Sequence, residues 1–140
     1  MPKVIASAMA ERGVERQINL KLPGAKTEVA YHQDFAYTPH TNDDIVTALL
    51  FLDDVDEGNG ALTVVPGSHK GPVLSLFDGD RFTGAVAADE EKKALAQSVP
   101  CFGKAGSVCL MHTRCATSRK GMPSRQALGM PIRAFWLSMR

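Results

Sequence analysis

The sequence predicts a mostly-β domain, and three observations carry the prediction. Apolar and polar residues alternate in short runs, as in Ile18, Leu20 and Leu22 set against Asn19 and Lys21, the two-residue period of a strand with one buried face. The apolar stretch Ile45 to Leu52 carries no charge and starts with β-branched residues, which fits a strand covered on both faces better than a helix of that length. Proline and glycine recur at short intervals (Pro23-Gly24, Asn59-Gly60, Pro66-Gly67) and mark turns. Many short strands with one or two short helices describe a double sheet of jelly-roll or cupin-like type, whose open mouth gathers side chains from distant strands.

Taken in order, residues 2–13 read as an Ala-rich helical piece, and Gln17 to Leu22 as the first strand, stopped by Pro23-Gly24. Glu28 to His32 is a second extended segment. Thr38 to Asp44 is polar and turn-like around Pro39. Ile45 to Leu52, the turn Asp53 to Gly60 and the returning strand Ala61 to Val65 together predict an antiparallel hairpin. Pro72 to Val86, with Gly79 and Gly84, reads as a long loop. Asp89 to Gln97 is a short helix with its acids before Lys92 and Lys93, the order the helix dipole favours. Ser107 to His112 is a strand with Val108, Leu110 and His112 on one face. Beyond Arg114 neither period is visible until Ile132 to Leu137.

A chain of 140 residues suits one domain. Hydrophobic content of 44% is ordinary for a soluble protein, and no stretch reaches the length of a membrane span. Neither terminus carries a targeting signal, so a cytoplasmic location is expected. Cys101, Cys109 and Cys115 are an odd set without a C-x-x-C pair, which argues for free thiols over a disulfide framework or zinc knuckle. The net charge of +1 hides an asymmetry: residues 28–91 hold thirteen acids and two bases, and residues 92–140 hold nine bases and no acid. A basic end can bind nucleic acid or pack near an acidic middle; no nucleic-acid or membrane partner is expected.

The chemistry centres on Tyr31-His32-Gln33-Asp34. Side chains two apart on an extended segment share a side, so His32 and Asp34 can reach one ion, two thirds of the 2-His-1-carboxylate set that holds non-haem Fe(II). A surface turn capped by Asp34 is the plain alternative. His112 is a candidate third ligand or a near-site residue. His40 and His69, beside Pro39 and Pro66, suit structural roles, and Tyr31, Gln33 and Thr63 are candidate pocket residues. The acidic turns at Asp43-Asp44 and Asp53 to Glu57 lack the spacing of a calcium loop.

The run HQDFAYTPHTNDDIVTALLFLDDVDEGNGALTVVPGSHKGP, with AGSVCLMHTR downstream, resembles the phytanoyl-CoA dioxygenase family from about Leu20 to Arg114. The resemblance implies a double-stranded β-helix, an Fe(II)- and 2-oxoglutarate-dependent hydroxylase, a small-molecule or acyl substrate, and O2. It makes residues 1–140 a single partial dioxygenase domain, incomplete before residue 1, with 115–140 a divergent basic tail. Strand edges left unpaired in a partial barrel lead to an expectation of self-association. By the resemblance, His32 and Asp34 are iron ligands. The family's H-x-R-x-x-H-x-S segment falls on His112 to Arg119, its second histidine on Thr117 and its serine on Arg119. The arginine for the distal carboxylate of 2-oxoglutarate falls on Leu128; Arg125 and Arg133 are the nearest substitutes, with Arg125 and Thr63 the candidates for co-substrate binding. One origin for both the lost motif and the acid-free tail is a shifted reading frame near Cys115, after which suitable codons spell Leu-Arg-His-Gln-Ser; the coding DNA there tests it.

Two other readings stay open. A non-catalytic jelly-roll remnant would bind or brace without a cofactor. A cupin-like metal enzyme would use His32, Asp34 and His112 without 2-oxoglutarate.

Overall fold

The computed structural model describes residues 15–21, 28–41, 45–119 and 132–139. The Ala-rich segment 2–13, the turn at Asp43-Asp44, and Arg125 lie outside them. Strands are β1 (Glu15–Lys21), β2 (Val29–Gln33), β3 (Val46–Phe51), β4 (Leu62–Val64), β5 (Phe77–Asp78), β6 (Arg81–Phe82), β7 (Val99–Pro100), β8 (Val108–His112), β9 (Ala116–Arg119) and β10 (Ile132–Met139). The helix α1 (Ala88–Gln97) precedes β7. Among the described residues one antiparallel sheet runs β1-β10-β3-β8 and a second runs β2-β9-β4-β7, with β5 and β6 forming a small ribbon. Two facing sheets built from interleaved strands give the mostly-β, jelly-roll architecture that the sequence predicts.

Leu49 and Phe51 from β3, Met111 from β8, Leu62 from β4 and Val55 form the core between the sheets. Each such side chain contributes on the order of 1.5–3 kcal/mol by leaving water. Tyr31, Val65, Leu76, Val86, Ala94 and Ala116 form a second cluster. It lies on the outer face of the β2-β9-β4 sheet, under α1 and the segment before it. Because strand side chains alternate, Tyr31 and Gln33 point to that outer cluster and His32 points between the sheets. Gln33 is buried with its amide fully used: Nε2 donates to Arg114 O at 2.7 Å and Pro72 O at 3.3 Å, and Oε1 accepts from Leu74 N at 2.7 Å.

The predicted hairpin from Ile45 to Val65 does not form. Strand β3 pairs with β10 and β8, whereas β4 pairs with β9 and β7, so Asp53 to Gly60 carries the chain from one sheet to the other. The turn itself is as expected, closed by Asn59 Nδ2 donating to Asp54 O at 2.7 Å and Asp56 N donating to Asn59 Oδ1 at 2.8 Å. Local sequence marks a reversal, but partner choice depends on strands far along the chain. A second difference is β9. Ala-Thr-Ser-Arg carries no strand signature, yet it is a central strand held by ladders on both sides and buried along its length. The expected loop over Pro72 to Val86 contains the β5–β6 ribbon.

Candidate metal centre

Strand β2 ends at Gln33, and Asp34 opens a single 3-10 turn, Asp34–Ala36. Phe35 N donates to Thr113 O at 3.0 Å and Tyr37 N to Asp34 O at 3.0 Å, which pins the turn against the end of β8. The turn keeps the two side chains together: His32 Nε2 lies 3.3 Å from Asp34 Oδ1. His32 Nδ1 lies 2.9 Å from Ala30 O. Only a protonated Nδ1 can donate to a carbonyl, so in the neutral ring Nε2 carries the lone pair on the Asp34 side. The ring of Tyr37 meets His32 edge-on at 5.4 Å, and its hydroxyl donates to Gly84 O at 2.7 Å.

Asp34 is oriented in turn by Thr47, whose Oγ1 donates to Asp34 Oδ2 at 2.8 Å. That leaves Oδ1 for the His32 side. Thr47 belongs to no motif in the sequence, although a hydroxyl inside an otherwise apolar run is a signal of its own; it is fully buried, at 0% exposure. Burial pushes the His32 imidazole toward the neutral form. The hydrogen bond with Asp34, the bond to Ala30 O and the Asp34 charge outweigh it, so the His32 pKa stands above its ordinary value.

The residue across the ladder from His32 is Thr117. Residues paired across antiparallel strands share a face, so Thr117 faces the same space as His32. It is 1% exposed, and its Oγ1 has no hydrogen-bond partner among the described residues. Two residues on, Arg119 shares that face. It is 8% exposed, its Nε has no partner among the described residues, it feels the Asp34 charge, and its own charge is felt by His32.

Other candidates fall elsewhere. Thr47 pairs with Met111, so His112, the next residue along β8, points to the opposite face, where its ring stacks on His69 with centroids 5.4 Å apart. It shares that outer face with Val108 and Leu110 as expected, but Leu110 there is 64% exposed while Met111 enters the core. Both faces of β8 carry apolar residues, so alternation alone does not say which is inside. Thr63 is on the outer face of its sheet, 2.8 Å from Ser118 Oγ and 3.4 Å from Tyr31 Oη. The structure does not bring Thr63 or His112 to the His32–Asp34 pair. His40 packs edge-on against Phe35 and its Nε2 is 3.4 Å from Thr113 Oγ1. Only the backbone of Arg133 is described, in β10 opposite Leu20.

A borderline divalent ion such as Fe(II) prefers nitrogen and carboxylate donors. His32 and Asp34 suit it: one exposes a ring nitrogen whose partner nitrogen is fixed by a carbonyl, the other a carboxylate oriented by a hydroxyl. Thr117 and Arg119 do not. A neutral hydroxyl faces His32 across the ladder, and a cation lies on the same face. Among the described residues no group of three or more His, Cys, Asp or Glu side chains could hold a metal ion.

A family model described as Phytanoyl-CoA dioxygenase (PhyH) matches residues 3–117. A probable alpha-ketoglutarate-dependent hypophosphite dioxygenase of Stutzerimonas stutzeri is 39% identical over 102 residues, 70% of this chain and 35% of that protein. Peroxisomal phytanoyl-CoA dioxygenase of Bos taurus is 44% identical over 56 residues, 39% of this chain and 16% of that protein. The crystal structure of EvdO2 from Micromonospora carbonacea var. aurantiaca complexed with 2-oxoglutarate matches 98% of this chain and 57% of its own, at 27% identity and a TM-score of 0.65. The chain thus spans about a third or less of the length of these two curated relatives. With the family model covering most of its residues, on the double sheet that carries the His32–Asp34 pair, the chain belongs to the phytanoyl-CoA dioxygenase family.

Proposed function

We propose that the chain is part of an Fe(II)/2-oxoglutarate-dependent dioxygenase domain that hydroxylates a small-molecule or acyl substrate, and that it carries two of the three metal ligands, His32 and Asp34. The observation behind this is the pair itself: Nε2 and Oδ1 are 3.3 Å apart, and each group is oriented from behind, by Ala30 O and by Thr47. Orientation of that kind is what a metal ligand needs and what a surface turn does not. In this reading Thr117 stands at the third ligand position. With that position unsuited to the ion, the co-substrate half of the site is incomplete in this chain as well.

A metal held by His32 and Asp34 would activate O2, the oxidant, with the keto acid giving up two electrons as it loses CO2; the chain supplies the container. The inner faces of β3 and β8 line it with Leu49 and Met111 and keep water from the buried side of the pair. The three cysteines are free thiols, which supports the cytoplasm as the compartment. No helix among the described residues is long and apolar enough to cross a membrane. The edges β1, β2, β7 and β8 have one sheet partner each among the described residues, which supports self-association through them.

Iron-dependent release of succinate from 2-oxoglutarate tests the reading. Slow release by the chain, lost in His32→Ala and raised in Thr117→His, is expected. Equal release by wild type and His32→Ala would overturn it.

A further inference from the structure

Arg119 is an unusual occupant of this space. The inner surface that carries His32, Asp34 and Thr47 is otherwise apolar or neutral, and a buried cation there needs a counter-charge. Strand β9 pairs Arg119 with Val29 on one side and Leu62 on the other, neither of which can offer one. Among the described residues, the charges that act on Arg119 are Asp34 and the Cys109 thiol. Arg119 lies on the face of β9 that Thr117 presents to His32, and the Asp34 carboxylate next to His32 acts on it more strongly than Cys109 does, so Asp34 is the group whose negative charge the guanidinium chiefly answers.

We infer that Arg119 serves as a built-in counter-ion to Asp34, taking the electrostatic place of the divalent metal and holding the His32–Asp34 site in a low-affinity state. The inference rests on the reading of His32 and Asp34 as ligands. A neutral imidazole and one carboxylate offer a divalent ion a site of charge −1; with the guanidinium beside them the site is neutral, and the arriving ion meets a like charge in a medium where screening is weak. Arg cannot relieve this by losing its proton at ordinary pH. Charge at position 119, and not only the missing imidazole at position 117, then sets metal occupancy.

Calorimetric titration with Mn(II) measures this directly on wild type, Arg119→Met, Arg119→Lys and Arg119→Met/His32→Ala. Methionine keeps an extended unbranched chain and removes the charge; lysine keeps the charge. Mn(II) binding at least about tenfold tighter in Arg119→Met, with Arg119→Lys close to wild type, is expected. Equal affinity in wild type and Arg119→Met overturns the counter-ion role while leaving the ligand reading intact. A gain that survives in Arg119→Met/His32→Ala places the ion away from His32 and overturns both. Thermal melts with and without Mn(II) read the same exchange in a variant of reduced stability. There Mn(II) raises the Tm of Arg119→Met by more than that of wild type, and equal shifts contradict the inference.

Discussion

His32 is held by two contacts with opposite consequences for its proton. The Ala30 carbonyl fixes Nδ1–H, and Asp34 stands ready to pair with a protonated Nε2. Its raised pKa means that the metal-free ion pair contributes stability fully below the ordinary imidazole value, about 6.5, and loses it as pH rises through the higher folded-state value. The Tm difference between wild type and His32→Gln is therefore expected to be largest near pH 5–6 and to shrink toward pH 8; a difference that grows with pH would show the sign to be wrong. Thr47→Val removes the donor to Asp34 Oδ2 at nearly constant volume. A loss of roughly 10–100-fold in Mn(II) affinity is expected for a group that orients a ligand, and calorimetry checks it. Among the thiols, the hydrogen bond from Cys101 brings Cys109 down to about 7 against the opposing effect of burial, with the Arg119 charge assisting. Cys109 should be the first cysteine alkylated at neutral pH, as peptide mass spectrometry would show.

At the scale of elements, Gln33 joins β2 to the turn after β8 and to the segment at Leu74. Gln33→Leu would leave the Arg114 carbonyl and the Leu74 N–H buried without their partner, a loss of roughly 2–4 kcal/mol measurable by urea unfolding. A loss below about 1 kcal/mol would mean those groups find water or another partner. Gly84 has φ +70°, and a Cβ there would meet Tyr37 Oη at 2.9 Å, so its position beside the tyrosine that flanks His32 suits glycine alone. What was legible in the sequence follows from the same elements. His32 and Asp34 could be read because a strand period and a two-residue spacing are local facts. The hairpin expected over Ile45 to Val65 does not follow from sequence because Asp53 to Gly60 announces a turn without naming the sheet that the returning strand joins. Strand β9 was missed because its burial comes from neighbours on both sides and not from its own composition. The family resemblance implies Thr117 as the third-ligand position; that it pairs with His32 across the ladder is a register fact that only the fold supplies. Arg119 within the field of Asp34 is a tertiary arrangement that no spacing in the chain encodes.

For the whole molecule, the two sheets are a frame on which β2 and β9 bring one half of a metal site to face β3. The His32–Asp34 pair and strands β2 to β8 belong to the stretch that resembles the family, and the divergence from the family's motif falls on β9, which supplies Thr117 and Arg119. In the reading proposed above, that division separates the fold from metal affinity, which two residues of one four-residue strand would set. The most direct test is electron spin-echo spectroscopy of the chain saturated with Mn(II), which counts imidazole nitrogens on the ion. One coordinated imidazole in wild type, none in His32→Ala and two in Thr117→His are predicted. An unchanged nitrogen signal in His32→Ala, or a single imidazole in Thr117→His, would contradict the assignment of His32 as a ligand and of position 117 as the third corner of the site.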